Sequence, residues 1–138
     1  MIDISVRSIL LVEDDPLLRQ AFRLLLEDAG YDVREAGTAQ QAMSAVDDRA
    51  PNLVLLDLGL PDRPGLEVAR ELMGRPETRH IKVVALTGRV GPQERQECLD
   101  AGCSHFLSKP IEPRELLRQL PEMLRPEARA DARPHAER

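Results

Sequence analysis

Hydrophobic and polar positions along the chain alternate between two textures. Short Leu-rich and β-branched runs occur at Ser8–Val12, Asp32–Ala36, Leu53–Leu56, Lys82–Leu86 and His105–Ser108. These runs have the length of strands, and longer stretches with helical period lie between them. Each helical stretch carries its own punctuation. Asp15 is placed to cap the first, with Pro16 at the first helical position, where a missing N–H costs nothing. Leu18, Ala21, Phe22, Leu25 and Ala29 form its expected apolar face, and Gly30 ends it. Thr38-Ala39-Gln40-Gln41 reads as a capping box that opens a second helix running towards Arg49, ahead of Pro51. A third helix is expected from about Gly65 to Met73, stopping at Gly74. A fourth opens at Pro92 and stops at Gly102, and a fifth opens at Pro113 and carries Leu116, Leu117, Leu120 and Leu124.

Five strand-then-helix repeats with nearly all-apolar inner strands predict an α/β fold. Right-handed crossovers make it a doubly wound, five-stranded parallel sheet with helices on both faces. The expected strand order is the flavodoxin-like 2-1-3-4-5, in which strands one and three flank the point where the order reverses. The fifth strand is the weakest, being short and polar. One domain over residues 7–125 accounts for the pattern. Residues 126–138 show no apolar period and read as a solvated tail or the start of a linker.

Composition narrows the function. At 138 residues the chain is sized for one domain, and its 42% apolar content is supplied by aliphatic residues, since aromatics make up only 2%. A net charge of −5 argues against direct nucleic-acid binding, which favours a basic face. No apolar run approaches the roughly 18 residues that span a bilayer. Residues 1–7 lack the hydrophobic centre of a signal peptide, so the expected compartment is the cytoplasm. Cys98 and Cys103, five apart, match neither a redox CxxC pair nor a zinc spacing, and are expected to be reduced, with at least one packed. His80, His105 and His135 are scattered and are assigned no chemistry.

Ligands of open α/β sheets bind beyond the carboxyl ends of the strands. The first strand delivers Glu13, Asp14 and Asp15 there, the third Asp57, the fourth Thr87, and the fifth Lys109 followed by Pro110. Singly, each has an ordinary use as a cap, a turn residue or a surface charge. Their joint arrival at one edge is specific. Converging carboxylates repel and need a compensating cation. Lys109 supplies one positive charge, and oxygen donors without His or Cys suit magnesium. No Gly-rich nucleotide loop of the GxxxxGK[ST] type is present. A carboxylate can itself be the nucleophile, giving an aspartyl phosphate. Asp57 is the expected nucleophile: it is single and central, and a loop with Gly59, Pro61, Pro64 and Gly65 follows it. That loop can bring backbone close to a metal, which makes the Gly59 carbonyl a candidate ligand beside Glu13, Asp14 and Asp57. Lys109 and the Thr87 hydroxyl would stabilise the transferring group.

These residues resemble the CheY-like receiver family of two-component response regulators. Ile9-Leu10-Leu11-Val12-Glu13-Asp14-Asp15 is similar to its first strand and acidic pair, with Asp15 left as the cap. Leu55-Leu56-Asp57-Leu58-Gly59-Leu60-Pro61 resembles its phosphoacceptor motif, Val84-Ala85-Leu86-Thr87-Gly88 its switch strand, and Phe106-Leu107-Ser108-Lys109-Pro110 its closing lysine motif. The resemblance covers roughly Arg7 to Arg125. It implies a phosphorylation switch that uses Mg2+, and a phosphohistidine of a sensor histidine kinase or phosphotransfer protein as donor. It also implies that Thr87 moves toward the phosphoryl group and Phe106 swings inward. The surface of the last two helices and last strand would then change for a downstream protein or a phosphorylation-dependent homodimer. Lys109–Pro110 is commonly cis in the family. Departures are Phe106 where Tyr is frequent, Asp62-Arg63-Pro64-Gly65 where Met-Asp-Gly is more usual, and Gly59 in place of a larger side chain. Gly59 and Arg89 are expected to set how easily water reaches the acyl phosphate. Two other readings compete with this one. A magnesium-dependent phosphatase that passes through an aspartyl phosphate needs a second acid two residues after the nucleophile, where Gly59 stands. A degenerate receiver used as a binding scaffold would not need all five family positions filled, as they are here.

Overall fold

Residues 6–126 are described by the structure, a computed structural model. The tail expected over 126–138 therefore lies, beyond Pro126, outside the described residues. Five parallel strands, β1 (Ser8–Val12), β2 (Asp32–Ala36), β3 (Leu53–Asp57), β4 (Lys82–Thr87) and β5 (His105–Ser108), pair in the order β2-β1-β3-β4-β5. This is the predicted order, with β1 and β3 adjacent at the centre. The helices are α1 (Pro16–Asp28), α2 (Ala39–Asp48), α3 (Gly65–Met73), α4 (Pro92–Asp100) and α5 (Pro113–Met123). No described helix is long and apolar enough to cross a membrane.

Side chains alternate across a strand, so one apolar run can feed two cores. Leu10, Val12, Val54, Leu56, Val83 and Ala85 pack against α2, α3 and α4. Their neighbours Ile9, Leu11, Leu53, Leu55, Val84 and Leu86 pack against α1 and α5. Every residue of β1, β3 and β4 is buried, whereas the edge strand β5 has none that is. That difference is why β5 is short and polar in sequence.

Three details depart from the sequence reading. β3 and β4 each run one residue further, to Asp57 and Thr87, so both polar side chains sit on the last rung of the sheet. The buried face of α1 is Phe22 and Leu26, while Ala21 and Ala29 are exposed. The contact stripe follows the i, i+4, i+8 row Leu18, Phe22, Leu26, and the small alanines lose little by facing water. The capping box is displaced by one residue on its return arm. Thr38 Oγ1 accepts from Gln41 N at 3.0 Å, but Gln41 Oε1 accepts from Gly37 N at 2.7 Å, ahead of the cap.

A third partner joins that cap from a distance. Asp62, in the loop after β3, accepts from Ala39 N at 2.9 Å and Gln40 N at 3.0 Å. These two amides hold the Asp62 carboxyl below the usual carboxylate range. Because the first-turn N–H groups of α2 are shared between Thr38 and Asp62, with Gln41 holding Gly37 N just ahead of them, removing one acceptor leaves the others in place. Thr38→Ala is accordingly expected to cost about 0.5–1 kcal/mol, the low end for a lost N-cap. A urea titration checks this, and a loss well beyond that range would mean that the three acceptors act as one cooperative unit.

Candidate functional site

The site is assembled by strands that end together. Glu13 N continues the ladder past β1 by donating to Ala36 O at 3.0 Å. This turns the Glu13 side chain inward, where the residue is only 3% exposed. Asp14, next in the chain, is exposed, and Asp15 caps α1 through Leu17 N and Leu18 N as expected. Arg19 fixes this turn: its guanidinium donates to Glu13 O at 2.7 Å and to Glu35 Oε1 at 2.7 Å. Asp57, at the end of β3, is 5% exposed, and its Oδ1 accepts from Gly59 N at 3.0 Å.

Glu13, Asp14 and Asp57 each turn one carboxylate oxygen into a common space, with the three oxygens within 4.8 Å of one another. From the other side of the sheet end, Lys109 Nζ stands 3.3 Å from Asp57 Oδ2 and 3.7 Å from Glu13 Oε1. Its backbone is tied to the sheet by Lys109 N donating to Thr87 O at 2.8 Å, and the Lys109–Pro110 bond is cis. Thr87 is buried, and its hydroxyl is engaged locally, accepting from Arg89 N at 3.0 Å and donating to Arg89 O at 3.3 Å. The residues predicted to meet at one edge thus do so. At Gly59 the group seen to act is the amide, which donates to Asp57; Phe106 lies on β5, packed against the core and stacked under the Arg95 guanidinium at 4.9 Å.

Electrostatics make this arrangement incomplete by itself. Three carboxylates face one ammonium, and burial pushes the Glu13 carboxyl up, with the charge of Asp57 adding to the effect. The amide of Asp15 and the ammonium of Lys109 oppose that rise. Such an all-oxygen, net-negative cluster could hold a metal ion, and the donor set suits a hard divalent cation. A groove of about 790 Å3 opens over Asp57, Thr87 and Lys109 and extends beneath α4 to Cys98. It gives the Asp57 carboxylate access to a reactant.

The family model for the response regulator receiver domain matches residues 9–121. The chain belongs to this family, whose general role is that of a phosphorylation-dependent switch in two-component signalling. It is 37% identical over 119 residues to the phosphate regulon transcriptional regulatory protein PhoB of Pseudomonas aeruginosa, covering 86% of this chain and 52% of PhoB. The chain therefore spans about half the length of that relative. A CheY-like receiver domain protein from Methanospirillum hungatei superposes with a TM-score of 0.80 at 31% identity, covering 87% of this chain and 94% of that one. The receiver domain of a sensor histidine kinase from Pseudomonas aeruginosa, with a magnesium ion coordinated in its active-site cleft, gives a TM-score of 0.77 at 30% identity, covering 87% and 98%.

Some contacts that shape the site go beyond the roles expected of their residues. Arg19 and Asp62 hold the two loops that carry the carboxylates, and Gly65 packs directly on the backbone of Asp57 and Leu58. Arg95 stacks on the aromatic face of Phe106, a contact that needs no hydroxyl. Phe106→Tyr is therefore expected to leave the extent of phosphorylation within about twofold, since the Arg95 contact is a modest one and survives the change. Intact mass after treatment with a small phosphodonor measures it, and loss of the adduct would mean that the ring position is misassigned.

Proposed function

We propose that Asp57 is the phosphoacceptor of a receiver switch spanning residues 7–125, and that magnesium is held by Glu13, Asp14, Asp57 and the Gly59 backbone carbonyl. The convergence of the Asp57 carboxylate with two further carboxylates and the Lys109 ammonium, beneath an open groove, carries this reading. When bound, magnesium would neutralise charge on the phosphoryl group. This chain's own residues do the rest. Asp57 Oδ supplies the attacking oxygen, and the Gly59 amide orients the carboxylate through its other oxygen. Lys109 balances the negative charge that develops, and Thr87 exchanges its local bonds to Arg89 for one to a phosphoryl oxygen. The donor is a phosphohistidine of a sensor histidine kinase or phosphotransfer protein, which puts the switch in the cytoplasm. The phosphoryl group adds about −1.5 to −2 charge at neutral pH, enough to reorder adjoining loops. The output is a changed α4-β5-α5 surface read by another protein, with Phe106 in the switch. The chain turns over no substrate beyond its own acyl phosphate.

The test is intact mass after incubation with Mg2+ and acetyl phosphate or phosphoramidate. Mass is preferable to fluorescence because the chain has no tryptophan. One phosphoryl adduct is expected that requires Mg2+ and is absent from Asp57→Asn. A folded wild-type chain that takes no adduct from these donors or from a kinase would sink the proposal.

A further inference from the structure

Cys98 and Cys103 take no part in the chemistry of the acidic site. Both are free thiols about 1% exposed, Cys98 in the last turn of α4 and Cys103 just ahead of β5. The way α4 stops brings them together. Gly102 has φ +97°. Its N–H donates to Leu99 O at 3.0 Å, and Cys103 N donates to Cys98 O at 3.0 Å. This is the Schellman arrangement, in which the side chains at the two ends of the clasp touch. The end of α1 uses the same arrangement, Gly30 with φ +101° and Tyr31 N on Leu26 O at 3.1 Å, and there Tyr31 packs against the cluster that holds Leu26. At α4 the corresponding pair is two buried free thiols. The backbone hydrogen bond between the two residues keeps their Cα atoms close, as a disulfide requires.

The rest of α4 gives this contact weight. Gln93, Glu94, Arg95, Gln96 and Glu97 leave the helix without an apolar stripe, and Cys98 is its one fully buried side chain. Cys98 also lines the groove that opens over Asp57, whereas Cys103 is not among its lining residues. Of the two cysteines, Cys98 is thus the one next to the groove.

We propose that Cys98 and Cys103 form a reversible intramolecular disulfide on exposure to a hydroperoxide, stapling the end of α4 to the start of β5. Cys98 sulfur attacks the outer peroxide oxygen, the O–O bond breaks, and the departing alkoxide takes the thiol proton to leave as an alcohol or as water. The resulting sulfenic acid is attacked by the Cys103 sulfur. The S–S bond forms as the S–O bond breaks, and the hydroxyl leaves as water with the Cys103 proton. Two thiols are oxidised and one peroxide is reduced. The hydrogen bond from Cys103 lowers the Cys98 thiol, the attacking one, while the same bond and burial raise the Cys103 thiol, which resolves. Disulfides in a reducing compartment are mostly transient and redox-sensing. The inference goes beyond the receiver reading and needs no phosphoryl transfer.

The test treats the folded, full chain with hydrogen peroxide under native conditions and maps the tryptic peptide Gln96–Arg114, which contains both cysteines. The expected product is that peptide lighter by two hydrogen atoms and restored by dithiothreitol. In Cys103→Ala, the Cys98 sulfenic acid is expected to accumulate and be trapped by dimedone. In Cys98→Ala, Cys103 is expected to stay reduced. Amide exchange at Ala101–Cys103 is expected to slow by about tenfold or more in the oxidised chain, as for a short closed loop. Thiols that survive while free cysteine in the same buffer is consumed would overturn the proposal. So would intermolecular dimers as the main product, or exchange at Ala101–Cys103 that does not change.

Discussion

Lys109→Met is expected to slow formation of the Asp57 adduct by on the order of 100-fold, the usual cost of deleting one stabilising donor from a transfer site. It is also expected to lower the metal-free stability of the chain by about 1–3 kcal/mol. Methionine keeps much of the apolar stem and removes the ammonium, so the loss reads charge and not packing. The ammonium stands 3.3 Å and 3.7 Å from two carboxylates that are almost wholly buried. Without it, Asp57 and Glu13 face each other with no cation among their described side-chain neighbours. The stability figure lies below the range for a fully buried pair because the Lys109 side chain is 30% exposed and water screens it. Urea titrations with and without Mg2+ separate the causes. If the ammonium acts as a counter-charge, millimolar Mg2+ restores much of the lost stability in the variant. A variant as stable as the wild type without metal would show that the carboxylates have another means of tolerating one another.

The parts of this molecule that were legible in sequence are those specified over short distances or by repetition. Apolar runs of strand length marked β1, β3 and β4, which are buried on both faces, and the caps Asp15 and Thr38 sit directly before their helices. The site was legible for a related reason. In a parallel sheet every strand points the same way, so the residues that end the strands must meet, whatever the loops do. What escaped depends on loop conformation or on weak contrasts. Asp62 reaches α2 across 23 positions, and nothing in either segment announces the other. The Arg19–Glu35–Arg23 ion pairs span a helix and a strand whose relative rotation only packing decides. Alanine is nearly neutral between core and solvent, which is why an apolar stripe traced in the sequence of α1 runs through Ala21 and Ala29 and leaves out the buried Leu26. At α4 the spacing of Cys98 and Cys103 was visible, but its meaning depended on Gly102 taking a left-handed conformation. Added side-chain bulk there would also meet Met73, with a Cβ standing 2.1 Å from Met73 Cγ.

Gly65→Ala tests the tightest of these hidden constraints. Gly65 opens α3 directly against the end of β3, with its N–H donating to Leu58 O at 3.1 Å. A Cβ at this position would stand 2.7 Å from Asp57 O and 2.7 Å from Leu58 Cα. Both are backbone atoms, so no rotamer change relieves the overlap; either α3 or the Asp57–Leu58 segment has to move. Overpacking of this kind typically costs about 1–3 kcal/mol. The shift also displaces the carboxylate from its place beside Lys109 and the acidic pair, and a displacement approaching 1 Å at a reacting group can slow a reaction by up to about 100-fold. Two other glycines of the same edge serve as controls. A Cβ on Gly88 would meet nothing within 4 Å, and one on Gly59 would find Asp57 Oδ1 at 3.8 Å, an ordinary contact. Gly88→Ala is thus expected to change stability by less than about 0.5 kcal/mol, as most surface substitutions do. Denaturant midpoints and the initial rate of the Mg2+-dependent mass adduct, measured on the three variants together, decide the matter. If Gly65→Ala matches Gly88→Ala in both, the first turn of α3 yields freely and does not position Asp57. If stability and adduct rate fall together in Gly65→Ala alone, the close approach of α3 is what holds the Asp57 carboxylate where the phosphoryl group must arrive.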